Sequence, residues 1–360
     1  MAPDPAPRPR LLTFSSGGWV LLVAGLLMVA EVVWALGGVF LRAGPRPVGD
    51  GRNVETYGFD RSTCLVPRER IIAGGLRKDV LRALVDPPVF AGREVADYNA
   101  TLYGKYLVSS DRVIGVEING EARAYPLRVL NCHEIVNDTL GGVPIAVTYN
   151  PPCDSVVVVG REVDGEILEF GVSGLLYNSN MLMFDRRPNA DGESLWSQLQ
   201  ARAIAGPAAA DARTLRVVGA SLVRWGDWLA DQPQTTVLEL DRRMFKRYQE
   251  TTYRVYFISD HLMFPVDPPP PPGGLPPKER LVIVTAGDRQ AVYPYSLIAD
   301  RVDPSGAWTD SLGDVTVRFD YQADPETVMV TSEGSQDSLQ IIYSFWFAWH
   351  AMYPGTSVDR

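Results

Sequence analysis

Histidine and cysteine are both scarce in this chain of 360 residues, which contains three of each. They are His133, His261, His350, Cys64, Cys132 and Cys153. An odd number of cysteines leaves at least one thiol unpaired within the monomer, and three are too few for a disulfide-based scaffold. Any metal or thiol chemistry must therefore draw on this short set of side chains.

Positive charge is also in short supply. The formal net charge is −9 at pH 7, and no block of Lys and Arg offers a surface that could follow a phosphate backbone. We therefore expect no nucleic acid partner. The sequence also lacks a P-loop, a G-x-S-x-G and an H-E-x-x-H motif, so it points to none of the enzyme classes that these motifs define. Hydrophobic residues at 46% and charged residues at 21% are typical of a globular protein.

One long apolar stretch stands near the N-terminus, behind a tail of residues 1–16. Its only ionisable residue is Glu31, and a helix over residues 17–41 would be long enough to cross a hydrocarbon layer of about 30 Å. No small-x-small cleavage site is evident, so the sequence predicts an uncleaved single-pass anchor. We expect the soluble body to be periplasmic or extracellular, although arginines on both sides of the span give no clear orientation.

Short β-like segments separated by tight turns dominate the rest of the chain. Residues 42–112 form a polar approach segment, and regular β-patterning begins at Val113. Asn-Gly and Asp-Gly pairs between apolar runs are hairpin signals, since these residues tolerate positive φ. One helix is expected to begin near Ser194 and to carry Gln198. The sequence therefore predicts a β-rich α+β fold with short helices.

An internal repeat is visible within this β-rich body. Val113 to Leu127 aligns without gaps with Leu281 to Tyr295, and both segments end in a Tyr-Pro motif. A second pattern, W-x2-W-x4-P-x-T, begins at Trp225 and again at Trp346. Because two patterns recur in the same order, the sequence predicts two copies of one β unit.

The repeat gives the predicted domain bounds. The first repeat covers residues 113–240, and a second, degenerate repeat covers residues 281–360. The connecting segment, residues 241–280, contains a proline-rich run that favours extended polyproline II structure and acts as a semi-rigid spacer.

Several longer motifs in the first repeat are distinctive. They are HEIVND from His133 to Asp138, FGVSGLLYNS from Phe170 to Ser179, MFD from Met183 to Asp185 and SLWSQ from Ser194 to Gln198. Together they resemble the bacterial family called domain of unknown function 3179, strongly over Ile71 to Leu238 and weakly in the second repeat. The resemblance implies no particular activity, because the family is named for having no assigned function.

The chain departs from the pattern of that family in one run. The family usually shows Tyr-Cys-Pro-Leu-Cys, whereas the run from Tyr149 to Cys153 is Tyr-Asn-Pro-Pro-Cys. Cys132 stands where the family more often has tryptophan. A C-x-x-C redox pair is therefore not available, and dithiol chemistry at Cys153 would need Cys132 or Cys64 as a distant partner.

Cys153 and His133 are the first candidates for a chemical site. Two prolines stiffen the turn before Cys153, and a thiolate needs a nearby cation or metal to form near neutral pH. His133 is the only histidine of the first repeat, so the pair could bind copper or zinc. A lone thiolate would instead suit thiol redox or nucleophilic chemistry. The alternative is a buried structural cysteine with a hydrogen-bonded histidine.

Carboxylates and small polar residues could complete this site. The catalytic candidates are Glu134, Asp138 and Asp185. Ser173 and Asn178 could bind a cofactor, or they could merely cap turns. On one strand His133 and Glu134 would point to opposite faces, unless His133 lies in the preceding turn.

Two functions remain open on the sequence. The first is a membrane-anchored protein with a thiol or metal site outside the membrane. The second is a non-enzymatic binding or assembly module that works with a membrane protein partner. Glu31 is costly inside a bilayer and could mark contact with such a partner, or it could lie near the membrane surface and have no role.

Overall fold

A computed structural model describes residues 48–358 of the protein, except residues 103, 251–252 and 333–338, together with a few residues between 20 and 28. The chain forms two compact units, Met1–Pro47 and Val48–Arg360. Most of the first unit, including most of the predicted anchor at residues 17–41, lies outside the described residues. Among the helices that are described, none has both the length and the apolar character needed to cross a membrane.

The second unit is built mainly of β-strands with a few short helices, as the sequence predicts. The strands are β1 (Ile71–Ala73), β2 (Leu84–Val85), β3 (Val89–Ala91), β4 (Arg112–Ile118), β5 (Glu121–Pro126), β6 (Ile135–Leu140), β7 (Val143–Asn150), β8 (Ser155–Gly160), β9 (Glu162–Val163), β10 (Glu166–Ile167), β11 (Phe170–Tyr177), β12 (Asn180–Asp185), β13 (Leu195–Ser197), β14 (Arg202–Ala205), β15 (Val217–Val218), β16 (Ser221–Arg224), β17 (Thr236–Leu238), β18 (Arg280–Ala286), β19 (Arg289–Pro294), β20 (Ala307–Leu312), β21 (Val315–Ala323), β22 (Glu326–Ser332) and β23 (Leu339–Phe345). The α-helices are α1 (Val95–Ala100), α2 (Leu127–His133), α3 (Pro207–Ala210), α4 (Trp225–Asp231), α5 (Phe245–Tyr248), α6 (Arg254–Phe257), α7 (Tyr295–Arg301) and α8 (Trp346–Met352).

Most strands belong to three larger sheets. A five-stranded sheet has the order β1-β11-β12-β13-β14. One eight-stranded sheet, here called the middle sheet, has the order β19-β18-β23-β8-β7-β6-β2, with β15 paired to β8. The other, here called the outer sheet, has the order β20-β21-β22-β16-β4-β5-β17-β3. A separate hairpin joins β9 and β10.

The valines of β8 show how these sheets are layered. Val156 and Val158 pack in a hydrophobic cluster shared with the outer sheet, and Val157 and Val159 pack in a second cluster shared with the five-stranded sheet. Successive side chains of a strand point to opposite faces. The middle sheet is therefore buried on both faces, which explains why this run of valines has no polar alternation.

Two halves of the second unit contain matching elements. In the first half, residues 112–231, the β4–β5 hairpin leads into α2. In the second half, residues 280–352, the β18–β19 hairpin leads into α7. The corresponding strands and helices have equal lengths. Val113 lies opposite Pro126, and Leu281 lies opposite Pro294, so the two hairpins also share their register.

The closing elements match as well. Strand β16 places Arg224 opposite Arg112, and β23 places Phe345 opposite Arg280. Each closing strand is followed by a seven-residue helix that begins with tryptophan. The halves also exchange strands, because β16 pairs with β22 and β23 pairs with β8. The predicted repeat bounds remain a prediction. The matched strands and helices are the features that a duplication would have to produce.

One pair of hydrogen bonds recurs in the two halves. Tyr125 Oη donates to Asp138 Oδ2 at 2.8 Å, and Tyr293 Oη donates to Asp310 Oδ2 at 3.0 Å. Both tyrosines precede the proline that ends a hairpin, and both aspartates lie in the strand that follows the helix. This pair therefore belongs to the shared scaffold.

The prediction of a helix that begins near Ser194 is wrong. Residues Leu195–Ser197 form β13, which pairs with β12 on one side and β14 on the other. Trp196 is fully buried there, and the pairing with two neighbouring strands overrides the local sequence pattern.

Candidate functional site

Cys153 lies in a short 3-10 turn, Pro151–Cys153, between β7 and β8. The side chain is 0% exposed, and its Sγ donates to the backbone oxygen of Ser179 at 3.3 Å. Burial raises the pKa of the thiol, and the negative charges of Glu134 and Asp154 raise it further. In this conformation Cys153 is therefore a neutral, protonated thiol.

His133 is the last residue of α2, and both of its ring nitrogens are engaged. Nδ1 donates to the backbone oxygen of Arg82 at 2.7 Å, and Nε2 accepts a hydrogen bond from Tyr248 Oη at 2.8 Å. Burial lowers the pKa of the ring. These bonds fit the neutral tautomer with its proton on Nδ1, so His133 supplies no cation to the thiol.

Glu134 follows at the end of the helix in an unusual state. Its φ of 57° places it in the left-handed region, where its backbone nitrogen donates to the Leu130 oxygen at 2.7 Å. The residue is 6% exposed, and burial raises the pKa of its carboxyl to about 8. Within the described part of the chain, no hydrogen bond or ion pair to this carboxyl is found. Among the residues that the structure describes, Glu134 is therefore a buried acid without a direct partner.

A second polar group near this site also lacks a partner. Asn150 is the last residue of β7, directly before the turn that carries Cys153, and it is 1% exposed. Its Oδ1 atom is buried with no hydrogen-bond partner among the described residues. Buried amide oxygens are rarely left in this state, so it asks for an explanation.

The predicted metal pair is not gathered into a metal centre. In the described residues, no group of three or more His, Cys, Asp and Glu side chains is placed to hold a metal ion. His133 contacts Arg82 and Tyr248, whereas Cys153 contacts Ser179. These two side chains alone would not form a zinc centre, because a structural or catalytic zinc needs three or four protein ligands on one point.

Two of the predicted catalytic acids have structural partners. Besides Tyr125, Asp138 accepts a hydrogen bond from Arg123 at 2.6 Å and another from the Thr139 backbone. Asp185 accepts hydrogen bonds from Arg187, from the Ser194 backbone and from the Trp196 indole. Each of these carboxylates accepts at least three hydrogen bonds from the protein and so has most of its lone pairs occupied by structural partners.

The predicted cofactor residues also hold the fold together. Ser173 donates to the Leu182 oxygen at 2.5 Å and accepts from the Leu175 nitrogen at 3.0 Å. Asn178 donates to the Ala351 oxygen at 2.9 Å and accepts from the Asp267 nitrogen at 3.1 Å. Both side chains therefore brace turns and neighbouring segments.

A buried ionic cluster around Asp154 was missed by sequence reasoning. Arg112 donates two hydrogen bonds of 3.0 Å to Asp154, Arg280 donates one of 2.9 Å, and Tyr149 Oη donates one of 2.8 Å. Burial alone would raise the pKa of Asp154, but the two guanidinium charges lower it well below its usual range. Extending the repeat alignment by one residue would have found the two matching arginines.

The second half contains a weaker version of the same cluster. Arg280 Nη1 donates to Glu326 at 2.8 Å, and Tyr321 Oη donates to Glu326 at 3.2 Å. At the positions that correspond to the candidate site, the second half has Val302 after the helix and Pro325 in the turn between β21 and β22. The acid and the thiol therefore occur in the first half alone.

The connecting segment covers the candidate site at three points. Tyr248 Oη bonds to His133, Tyr256 Oη donates to the Pro152 oxygen at 2.8 Å, and Ser179 Oγ donates to the Phe264 oxygen at 3.2 Å. These bonds hold the segment over the turn that carries Cys153.

Fold and site together define a β-rich α+β protein whose candidate site contains a buried acid, Glu134, and a buried thiol, Cys153. The chain belongs to the family of proteins of unknown function DUF3179, whose match covers residues 83–356 and thus both halves. A search of curated proteins finds no match. A search of solved structures finds none either.

Proposed function

We propose that the protein is a membrane-anchored enzyme in which Cys153 is the reacting thiol and Glu134 is its acid–base group. The observation that carries this proposal is the state of Glu134, a buried carboxyl in a left-handed conformation with no hydrogen bond or ion pair to any described residue. Its charge reaches the Cys153 thiol, whose pKa it raises.

The energetic cost of Glu134 supports a functional role. Burial makes the charged form of the Glu134 carboxyl costly, as its pKa of about 8 indicates, and a left-handed conformation of a residue other than glycine costs about 1–3 kcal/mol. The scaffold avoids both costs in the second half, where Val302 ends α7 in an extended conformation. Backbone strain and shifted pKa values that the fold does not require are concentrated at functional sites.

The chemistry follows from proton balance. The Glu134 carboxylate takes the proton from Cys153 Sγ, and the resulting thiolate forms a bond to an electrophilic atom of the substrate. The bond to the leaving group breaks, and protonated Glu134 gives its proton to that group. A carboxyl with a pKa of about 8 changes its protonation state close to neutral pH, as an acid–base group must.

Access to the thiol requires the connecting segment to move. Tyr256 and Phe264 lie over the Cys153 turn through the hydrogen bonds described above. Their separation from the turn would expose Cys153 and the Asn150 oxygen together. Closing over a bound substrate would then exclude water from the reaction.

Single-thiol variants test the proposal. Replacing Cys64 and Cys132 by serine leaves Cys153, and replacing Cys64 and Cys153 leaves Cys132 as the matched control. Cys132 is 8% exposed and Cys153 is 0% exposed, so burial alone would make Cys132 react faster with iodoacetamide. We expect Cys153 to be alkylated faster at pH 8, as measured by mass spectrometry. Faster alkylation of Cys132 would overturn the assignment.

The location of the enzyme is part of the same proposal. The apolar stretch of residues 17–41 supports an N-terminal anchor, with the body outside the cytoplasm. A protease added to cells whose outer membrane is permeabilised and whose inner membrane is intact should then digest the body. Protection of the body until the inner membrane is broken would contradict this orientation.

A non-enzymatic role as a binding module is the second candidate. It is favoured by two exposed apolar side chains of the connecting segment, Val255 within α6, which is 74% exposed, and Ile258 directly after that helix, which is 83% exposed. Exposed apolar side chains side by side suit contact with a membrane protein partner. Replacing both by serine should then abolish co-purification of a stoichiometric partner, and unchanged co-purification would count against the module.

A further inference from the structure

A cleft of about 510 Å³ opens beside the candidate site, between α2, the loop before β4 and the helices α5 and α6. Four aromatic side chains form much of its wall: Tyr149, Tyr248, Tyr253 and Phe257. The volume is that of a small-molecule site, and such sites combine apolar walls with a few polar groups.

The cleft also borders the proposed catalytic groups. Tyr248 bonds to His133, and Tyr149 bonds to Asp154 next to Cys153. Burial, followed by the charge of Glu134, raises the pKa of Tyr253 to about 12. A ligand in the cleft would therefore contact tyrosines that are hydrogen-bonded to the chain neighbours of the acid and the thiol, His133 and Asp154.

Three arginines line the cleft, and two of them are already paired with aspartates. Arg112 is bound to Asp154, and Arg128 is bound to Asp111 at 2.6 Å. Arg254 is exposed, and the described residues give it no hydrogen bond or ion pair. An unpaired guanidinium with its donors arranged in a fork is suited to bind a carboxylate or another oxyanion.

Glu250 is the charge that opposes an anion in this cleft. It lines the cleft, is exposed to solvent and stands four residues before Arg254 in the sequence. Because Asp111 is already paired with Arg128, Glu250 is the main source of repulsion. Solvent screening keeps that repulsion small beside a direct contact with Arg254.

We propose that this cleft binds an organic anion with an aromatic body, which packs on the tyrosine rings while Arg254 holds its charge. The inference deepens the proposed function by naming its substrate class, and it rests on that function only in making the anion the substrate of Cys153. Binding itself needs no thiol chemistry.

Benzoate and benzamide form a matched pair of probes, because they share the ring and differ in charge. Titration of the full-length chain by ligand-observed NMR should show saturable benzoate binding, with benzamide at least fivefold weaker. Arg254→Gln should weaken benzoate binding about fivefold to tenfold, and Glu250→Gln should tighten it about twofold. Arg243→Gln is the control, since Arg243 is 92% exposed and already paired with Asp241.

Several outcomes would overturn the inference. Absence of benzoate binding, equal binding of benzamide, or an Arg254→Gln variant that binds like the Arg243→Gln control would each do so. Cys153→Ser should bind benzoate like the unmodified protein. If benzoate binds as expected while Cys153 proves unreactive, the binding cleft is supported and the proposed function fails. If Cys153 reacts as expected but benzoate does not bind, the proposed function is supported and the cleft inference fails.

Discussion

In both halves of the second unit, a hairpin leads through a Tyr-Pro end into a short helix, and a closing strand leads into a helix that begins with tryptophan. Both halves also contain a Tyr–Asp hydrogen bond and an Arg–acid–Tyr cluster. They differ where the helix ends and where the next hairpin turns. At these two positions the first half has Glu134 and Cys153, and the second half has Val302 and Pro325. The comparison separates polar groups that the scaffold needs from those that remain for chemistry.

The largest effect should come from the ionic clusters, which the halves share but bury to different degrees. Asp154→Asn leaves Arg112 and Arg280 without their shared counter-charge, and we expect a loss of about 3–5 kcal/mol in unfolding free energy. Glu326→Gln should lose only about 1 kcal/mol, because the Glu326 side chain is 31% exposed and that of Asp154 is 1% exposed. Chemical denaturation at pH 7 measures both. Equal losses would show that burial does not distinguish the halves.

A second test asks whether the charged form of Glu134 lowers the free energy of unfolding. We expect it to do so, because the scaffold of the second half has no such acid. Its pKa is about 8 in the folded protein, against 4.5 as an ordinary value. The folded state therefore binds this proton more tightly than the unfolded state. The free energy of unfolding is therefore highest below about pH 4.5 and declines as the pH rises through 8.

Glu134→Gln removes this decline. We expect the variant to exceed the unmodified protein by about 5 kcal/mol at pH 9 and to match it at pH 4. Denaturation curves at the two pH values give the difference. A variant that is less stable at pH 9 would show that the Glu134 charge supports the fold.

The smallest effect concerns the tyrosines that the halves share. Tyr125→Phe and Tyr293→Phe each remove a hydroxyl that donates to an aspartate. A net hydrogen bond contributes about 1 kcal/mol, or somewhat more when its acceptor is charged. We expect losses of about 1–2 kcal/mol that agree with each other. A loss confined to Tyr125 would break the comparison, because Tyr125 would then belong to the site.

Local patterns predicted much of the scaffold. Alternation and turn residues indicated the β-rich fold, and the aligned Tyr-Pro segments indicated the hairpins that prove to have the same register. The helix expected near Ser194 failed because β13 is fixed by its two neighbouring strands, a tertiary effect that local sequence does not carry.

The candidate site was predictable only in part. The motif HEIVND drew attention to Glu134, but Asp138 carried equal weight until its bond to Tyr125 was known. Asp154 was overlooked because its partners Arg112 and Arg280 are distant in the chain. Which acid is free and which is paired depends on contacts between distant segments, so sequence alone could not rank them.

The pH dependence of Cys153 alkylation tests the central claim most directly. In a protein whose only cysteine is Cys153, the rate should rise with a midpoint near pH 8, the pKa of the Glu134 carboxyl. Glu134→Gln in the same background should remove that midpoint and slow the reaction at pH 8 by about tenfold or more. Identical rate profiles in the two proteins would contradict the account.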